Sequence, residues 1–356
     1  MSDSILADTA QRLFAERFTP ELLRAADSGQ WPAAAWAAVE EMGLPLALVP
    51  EEAGGFGVDT LDALALVRSA GSFAAPVPLA ETMLAAWLLA GAGMAIPAGP
   101  LGIAPTQSAK GDLALTRDGA SWRLTGTAHR VPWGRVATAV ALLVEQESGS
   151  VVCLLEPGDW TVEEGRNIAG EPRDTLRIDA VLDAARVAPA APGVTPADLF
   201  AMGATLRSLA MAGAIERVLE LTVQYAGERV QFGRPLGKFQ AVQQNLAILA
   251  SQAAAAGAAA DGAAEALAER SGGPLRVLPI AAAKLRCGEA AGLTASIAHQ
   301  MHGAIGFTHE HVLHHLTRRL WSWRDEFGNE SVWALRIGRE VAEAGADGLW
   351  PLVTAA

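Results

Sequence analysis

The order of apolar patterns along the 356-residue chain restricts its fold more than any other feature. Up to about residue 97, and again beyond about residue 193, apolar residues recur three or four positions apart, which predicts helices. Between these zones the chain breaks into short alternating runs, such as "SWRLTGTA" and "ATAVALLVE", which predict strands. We therefore predict an α+β protein in which a small β-barrel or sandwich lies between two helical domains.

The predicted domain boundaries follow from these zones. They are an N-terminal helical domain at 1–97, a central β-domain at 98–192 and a C-terminal helical domain at 193–356. Helices of the last domain are expected at about 201–228, 238–270, 274–302 and 309–345. Four long helices with short connections predict an up-and-down four-helix bundle.

The net charge, the cysteines and the lack of long apolar runs limit the partners and the cellular location that we expect. A net charge of −12 disfavours nucleic acid, since binding to phosphates needs a basic face. Only Cys153 and Cys287 are present, which gives no disulfide framework and suits a reducing compartment. The N-terminus lacks a signal-peptide pattern, and no apolar run is long enough to span a bilayer. We expect a soluble, cytoplasmic protein with no membrane partner.

Two C-terminal segments carry a specific resemblance. "YAGERVQFGRPLGKFQAVQQNLA" and "QMHGAIGFTHEHVLHHLTRRLWSW" resemble the Arg-x-x-Phe-Gly and Gln-x-x-Gly-Gly-x-Gly-Phe motifs of the acyl-CoA dehydrogenase family. The resemblance extends over the whole chain through "LVPEEAGGFGV", "VPLAETMLAAWLL" and "WRLTGTAHRVPWGRVATAVALLV". It implies FAD-dependent α,β-desaturation of an acyl-CoA thioester, with electron-transfer flavoprotein or another electron acceptor.

The residue types in these motifs suit FAD. Arg229 offers a fixed positive charge to the diphosphate, Phe232 offers a flat apolar surface, and Gln240 offers amide groups to ribose or adenine. In the family, the glycine turn of one subunit meets a dinucleotide bound largely by a neighbour, which implies an obligatory oligomer. The cofactor-binding residues that we expect are Arg229, Phe232, Leu236, Gln240, Gln300, Gly303, Ala304 and Gly306. The glycines among them are expected to expose backbone groups to the ligand.

The catalytic base of the family is missing from both of its usual positions. A carboxylate normally removes the α-proton of the substrate, but the two corresponding positions hold Gly203 and Phe327. Asp325, Glu326 and Glu330 are nearby weak candidates, and we expect them to be solvated acids at helix ends. The catalytic residue is therefore left open.

Other departures lie on the flavin side of the expected site. "GIAPTQSAKGDLAL" lacks the acid of the family's Thr-Glu-Pro-x-x-Gly-Ser-Asp-like loop, and "HRVPWGRVAT" replaces its Thr-Asn-Gly element. Ala304 replaces the second glycine of the turn. These departures resemble the non-catalytic-type subunits of heteromeric acyl-CoA dehydrogenases that act on steroid-derived or other bulky acyl-CoAs. We expect a homo- or hetero-tetramer with a related dehydrogenase subunit, which could supply the base.

Two other functions remain open. The chain could be a structural or regulatory subunit without catalysis, or a different flavoenzyme of the same fold, such as an acyl-CoA oxidase or a nitroalkane-oxidising enzyme. A metal site is a further alternative, because His311 and His315, and His299 and His302, have helical spacings that can suit zinc. No cysteine or carboxylate pattern accompanies these pairs, so we predict no metal.

Overall fold

The computed structural model describes residues 5–104, 113–270 and 275–354. It confirms the predicted α+β fold, with N-terminal helices, a central pair of sheets and a C-terminal helical domain. One apolar core joins the two helical parts, and a second core lies between the sheets. Within the described ranges, no helix has both the length and the apolarity needed to cross a bilayer.

Five helices form the N-terminal part: α1 (Ile5–Arg17), α2 (Pro20–Asp27), α3 (Ala33–Glu41), α4 (Thr60–Ser72) and α5 (Leu79–Gly91). The sequence pattern missed α2, which is only eight residues long. Its start is nevertheless encoded locally, since the Thr19 hydroxyl accepts a hydrogen bond from Leu22 N and Pro20 stands in the first turn. Helix α5 is buried on almost every side, so it lies between the domains rather than on the surface.

Outside residues 105–112, which are not described, the β-domain has eight strands: β1 (Leu101–Ala104), β2 (Leu113–Asp118), β3 (Ser121–Pro132), β4 (Ala139–Gln146), β5 (Gly149–Leu155), β6 (Trp160–Glu163), β7 (Arg173–Leu182) and β8 (Val187–Pro189). They form two four-stranded sheets, in the orders β1-β4-β5-β8 and β2-β3-β7-β6. All pairs are antiparallel except β1 with β4. The short strands β1, β6 and β8 were not predicted.

The C-terminal part contains a short hairpin and five helices: α6 (Pro196–Glu228), β9 (Val230–Gln231), β10 (Arg234–Pro235), α7 (Gln240–Ala268), α8 (Val277–His302), α9 (Leu313–Trp323) and α10 (Glu330–Thr354). The single helix expected at 309–345 is wrong, because α9 and α10 are separate. Phe327 (φ 52°) and Gly328 (φ 86°) lie in the left-handed region between them, and that conformation ends a helix.

Candidate functional site

The end of α6 presents the first predicted cofactor motif. Arg229 is the C-terminal cap of the helix, and its backbone N–H donates to Tyr225 O at 2.9 Å. The hairpin that follows carries Phe232, which has a φ of 50° and is 92% exposed. Within the described ranges, the Arg229 guanidinium makes no ion pair with a carboxylate. The positive charge and the ring are therefore both available to a ligand or a partner.

The end of α8 presents the second motif and meets the first. Helix α8 stops at His302, because Gly303 adopts φ 61° and ψ −142° with open space where a Cβ would stand. The His302 ring stacks on Tyr225, with centroids 4.5 Å apart and planes at 24°. This contact brings two segments that are some seventy residues apart in the sequence to one side of the molecule.

We call the exposed part of these two motifs the composite surface. Its members are Arg229, Phe232, Gln240, Gln300, Gly303 and Ala304, all exposed, with Leu236 half-buried beside them. Gly306 is an exception, since it is buried and a Cβ there would lie 3.0 Å from His302 Cβ and 3.1 Å from Leu313 Cδ2. The expectation that Gly306 exposes its backbone to a ligand is therefore wrong, because this glycine packs the turn onto the helices.

The two positions at which a catalytic base was sought face each other. A Cβ built on Gly203 would lie 2.6 Å from Cζ of Phe327, so the phenylalanine ring fills the space that a side chain at 203 would need. Phe200 packs on this ring, with centroids 6.1 Å apart. Neither position offers an atom that can accept a proton.

Glu326 is buried, which contradicts the expectation of a solvated helix-end acid. Its carboxylate accepts from Arg173 Nε at 2.6 Å and from Arg207 Nε at 2.7 Å. Burial alone would raise the pKa of Glu326, but the two guanidinium groups overcome that effect and lower it to about 2. A carboxylate so strongly held in its charged form is a poor general base near neutral pH.

The other two acids of this segment differ from Glu326. Asp325 is exposed, as the sequence indicated. Glu330 accepts from Arg324 Nε at 2.9 Å and packs against Gly288. The segment itself is clamped by the buried Lys284, whose ammonium donates to Arg324 O at 2.6 Å and to Gly328 O at 2.7 Å. Burial lowers the pKa of Lys284 to about 8.

Glu326 belongs to a buried charge network that joins all three parts of the fold. Its members are Glu81 of α5, Glu171 and Arg173 of the β-domain, Arg207 of α6, Arg319 of α9, and Glu326. Three acids and three arginines balance in charge, which is the condition for burying ions without a large penalty. The sequence did contain a signal, because Glu81 in "LAETMLAAWLL" and Arg207 in "GATLRSLAMA" interrupt apolar runs.

Little space remains around this network. One cavity, of about 30 Å³, is lined by residues of α4, α5 and α6 together with Arg173, Trp133 and Trp323. Another, of about 50 Å³, lies between α2 and the β-domain and is also lined by Trp133. Sites for cofactors and other small molecules usually have roughly 300–1,000 Å³. Neither cavity can hold a flavin ring or an acyl chain.

Trp133 closes the cleft from the β-domain side. It lies in the segment "HRVPWGRVAT", has a φ of 59°, and is 7% exposed. Its ring packs edge-on against Trp31, with centroids 5.7 Å apart. The departure of this segment from the family pattern thus places a large ring between the two cavities. Most of the other off-pattern loop, residues 105–112 of "GIAPTQSAKGDLAL", lies outside the described residues.

The histidines gather around the turn after α8. His299 stacks on Phe307 at 4.2 Å, and His302 lies 4.8 Å from His311. Elsewhere in the group, His314, His315 and Asp27 approach each other closely enough to hold a metal ion. Arg318 Nη1, however, lies 3.0 Å from the same Asp27 oxygen that faces His315. A guanidinium thus already supplies positive charge to this carboxylate.

Comparison with known families gives two matches along the chain. Residues 2–95 match the acyl-CoA dehydrogenase N-terminal domain, and residues 196–342 match the acyl-CoA dehydrogenase C-terminal domain. Among characterised proteins, the chain is 33% identical over 316 residues to acyl-CoA dehydrogenase IpdE2 of Mycobacterium tuberculosis. That alignment covers 87% of this chain and 88% of the relative.

Solved structures give the same picture. The ChsE4–ChsE5 complex from Mycobacterium tuberculosis is similar with a TM-score of 0.86 and 28% identity, over 96% of this chain and 97% of that one. A variant of the Tcur3481–Tcur3483 steroid acyl-CoA dehydrogenase is similar with a TM-score of 0.82 and 26% identity. The structural alignment covers 95% of this chain and 97% of the matched chain.

Proposed function

The chain belongs to the acyl-CoA dehydrogenase family, and from this premise we propose that it is the non-catalytic subunit of a heteromeric, FAD-dependent acyl-CoA dehydrogenase. In this proposal its own cleft is closed, and it contributes the composite surface to a cofactor held largely by a related, catalytic subunit. The observation that carries the proposal is the contact between Phe327 and Gly203, which fills both base positions with one side chain.

The cofactor fits one part of the chain and not the other. FAD is the cofactor of this family, and the composite surface matches its polar half, since Arg229 is unpaired within the described ranges and Phe232 and Gln300 are exposed. The cleft between the domains does not fit the flavin, because its cavity of about 30 Å³ is lined by the large side chains of Arg173, Arg207 and Trp133. Arg229 would hold the diphosphate, and Gln240 and Gln300 would hold the ribose and adenine.

The division of labour follows from the chemistry of desaturation. When bound, the cofactor would supply an acceptor for the β-hydrogen of the acyl-CoA as hydride, and a protein carboxylate would have to remove the α-proton. In this chain Glu326 cannot leave its two arginines without stranding buried charge. The proton must therefore go to a carboxylate of the related subunit, while this chain binds and orients the cofactor.

The names of the similar proteins support the choice of partner and substrate. The ChsE4–ChsE5 structure is a complex of two chains, and the Tcur3481–Tcur3483 protein is called a steroid acyl-CoA dehydrogenase. By analogy, we propose a hetero-tetramer with a related dehydrogenase subunit, acting on a steroid-derived or similarly bulky acyl-CoA and passing electrons to electron-transfer flavoprotein. Both cysteines are free, buried thiols, which supports a reducing, cytoplasmic setting.

Co-expression tests the proposal. The chain is produced alone and together with a dehydrogenase-like protein encoded beside its gene, and flavin content, mass and flavin reduction by a panel of acyl-CoAs are measured. We expect reduction only in the complex, and loss of that reduction when the partner's base is changed to its amide. Brisk reduction by the isolated chain would contradict the proposal. A complex that forms but never holds flavin would favour the purely structural or regulatory subunit.

A further inference from the structure

We infer that His302 is a positioning residue, whose neutral ring, stacked on Tyr225, locks the two halves of the composite surface together so that they bind one partner-held FAD as a unit. This inference rests on the proposed function, since it concerns how that surface is held in shape. It assigns a role to a histidine that is not itself among the expected cofactor-binding residues.

The stack joins the two residues that fix the two motifs. Tyr225 accepts the backbone hydrogen bond of Arg229, at 2.9 Å, one helical turn before the hairpin. His302 is the last residue of α8 and lies two residues after Gln300. With ring centroids 4.5 Å apart, a displacement of either helix end changes the distance between the arginine and the glutamine. Aromatic pairs of this kind stabilise the structure beyond the burial of their surface.

The hydrogen bond of His302 fixes the tautomer of its ring, and the burial of the other ring nitrogen favours the neutral form. Nδ1 lies 2.8 Å from Ala298 O, and a carbonyl oxygen can only accept, so Nδ1 carries the proton. Nε2 is buried and has no partner within the described ranges. The side chain is only 3% exposed, and Gly306 of the turn packs directly on its Cβ. A second proton would therefore place an unpaired charge beneath the turn.

The groups that face His302 offer no compensating negative charge. They are Tyr225 from α6, His299 from α8, and His311 from the segment after the turn. Burial lowers the pKa of His302 below its ordinary value, and the hydrogen bond to Ala298 O opposes that shift only in part. Burial and the charge of His302 lower the pKa of His299, and burial with the charges of His302 and His299 lowers the pKa of His311. Protonation of one imidazole thus repels protonation of the next.

This arrangement links the shape of the surface to pH. If the turn is released, His302 regains the ordinary histidine pKa near about 6.5, so protons favour the released state. The contribution of His302 to holding the composite surface together is therefore complete above about pH 6.5 and is lost progressively as the pH falls below that value. The FAD affinity of the complex should decrease in the same window, by up to about tenfold per pH unit for one linked proton.

The test uses the complex of this chain with its co-expressed partner, stripped of flavin and titrated with FAD by flavin fluorescence at about pH 8 and about pH 6. His302→Phe keeps a flat ring and removes the titrating nitrogen, so it should bind FAD as the natural chain does at the higher pH and should lose less affinity at the lower one. His302→Ala and Tyr225→Leu each remove the stack, and each should lower the affinity of the complex for FAD about threefold to tenfold at both pH values. Their double variant should be no worse than either single one.

A matched control is His129→Phe, the same change at an exposed histidine of β3, which should leave both affinities unchanged. If His302→Phe shows the same acid loss as the natural complex, or if the losses from His302→Ala and Tyr225→Leu add fully, the inference is overturned. If His302→Phe weakens FAD as much as His302→Ala does, the ring shape does not hold the surface, and the inference fails as well. A natural complex that binds no FAD at either pH instead refutes the proposed function.

Discussion

The ring of Phe327 occupies the volume directly above the Cα of Gly203, with Cζ 2.6 Å from where a Cβ of residue 203 would stand. Gly203 lies in α6, and Phe327 lies in the segment between α9 and α10. The absence of a side chain at 203 leaves room for the phenylalanine ring. The family resemblance makes both of them expected positions of a catalytic carboxylate, neither has a side-chain atom that can accept a proton, and this single contact fills the space between them. It also couples the two positions, so that they cannot be changed independently.

The coupling predicts a non-additive pair of substitutions. Gly203→Ala should lower the free energy of unfolding by about 1–3 kcal/mol, because the new methyl group overpacks the ring. In a Phe327→Leu background the same change should cost clearly less, since the smaller side chain leaves space. Urea unfolding of the four proteins of this double-mutant cycle measures the coupling. Equal losses in both backgrounds would show that the ring does not confine residue 203.

Restoring a carboxylate at 327 should not restore catalysis. Arg207 Cζ lies 5.9 Å from the centre of the Phe327 ring, but its guanidinium is already paired with Glu81 and Glu326, so the new carboxylate of Phe327→Glu would add an uncompensated charge to a balanced network. The cleft also still lacks room for a flavin. We expect no flavin reduction by acyl-CoAs when this variant is produced alone. Turnover by the isolated variant would mean that the cleft opens in solution.

Glu326→Gln should destabilise the chain strongly. The substitution leaves Arg173 and Arg207 buried with one negative charge fewer, which typically costs about 3–5 kcal/mol. Asp325→Asn is the matched control, because Asp325 is the exposed neighbour of Glu326. This substitution should change the free energy of unfolding by less than about 0.5 kcal/mol. Chemical denaturation of the two variants measures the difference in their free energies of unfolding. Equal, small effects would place Glu326 outside any important network.

Arg229→Ala should loosen FAD in the complex. The variant removes a charge-assisted contact to the diphosphate, usually worth about 1.5–3 kcal/mol. Arg217→Ala is the control on the same helix, where the arginine pairs only with Glu220 three residues on. Flavin retained after dialysis, measured by absorbance, separates the two variants. A full flavin complement in Arg229→Ala would remove this residue from the cofactor site.

The histidine group should make the folded chain acid-sensitive. Burial and the neighbouring His315 lower the pKa of His314 to about 4, while an unfolded histidine titrates near about 6.5. Between these values the unfolded chain binds more protons, so stability falls as the pH is lowered through this window. Below about pH 4 this group contributes no further loss. His314→Gln, which does not titrate, should flatten the profile of unfolding free energy against pH, and the exposed His129→Gln should not.

The acid sensitivity from Glu326 falls in a different window. Its pKa is lowered to about 2, so its stabilising ion pairs are complete above the ordinary glutamate pKa and are lost only as the pH falls toward the lowered value. A loss of stability that sets in below about pH 6.5 and is complete near about pH 4 therefore belongs to the histidines rather than to Glu326. The two variants, His314→Gln and Glu326→Gln, assign the two parts of the profile.

The sequence alone determined the architecture and the place of the cofactor motifs. Helical periodicity, strand alternation and glycine or proline breaks are local signals, so they locate elements without knowledge of their partners. For the same reason the boundary between α9 and α10 was missed: the segment with the left-handed Phe327 is held by a residue distant in the sequence, since Lys284 Nζ donates to Arg324 O at 2.6 Å and to Gly328 O at 2.7 Å. Nothing in the local pattern announces that contact.

Only the tertiary structure decided the chemistry of the cleft. Asp325 and Glu326 are adjacent acids that the sequence could not distinguish, yet one is exposed and the other lies between Arg173 and Arg207, 153 and 119 residues away in the chain. Whether a carboxylate is a solvated acid, a base or a structural ion depends on such long-range neighbours, because burial and charge set its pKa. The motifs identified the family, while contacts distant in the sequence decided the packing of Phe327 on Gly203 and the burial of Glu326 between two arginines.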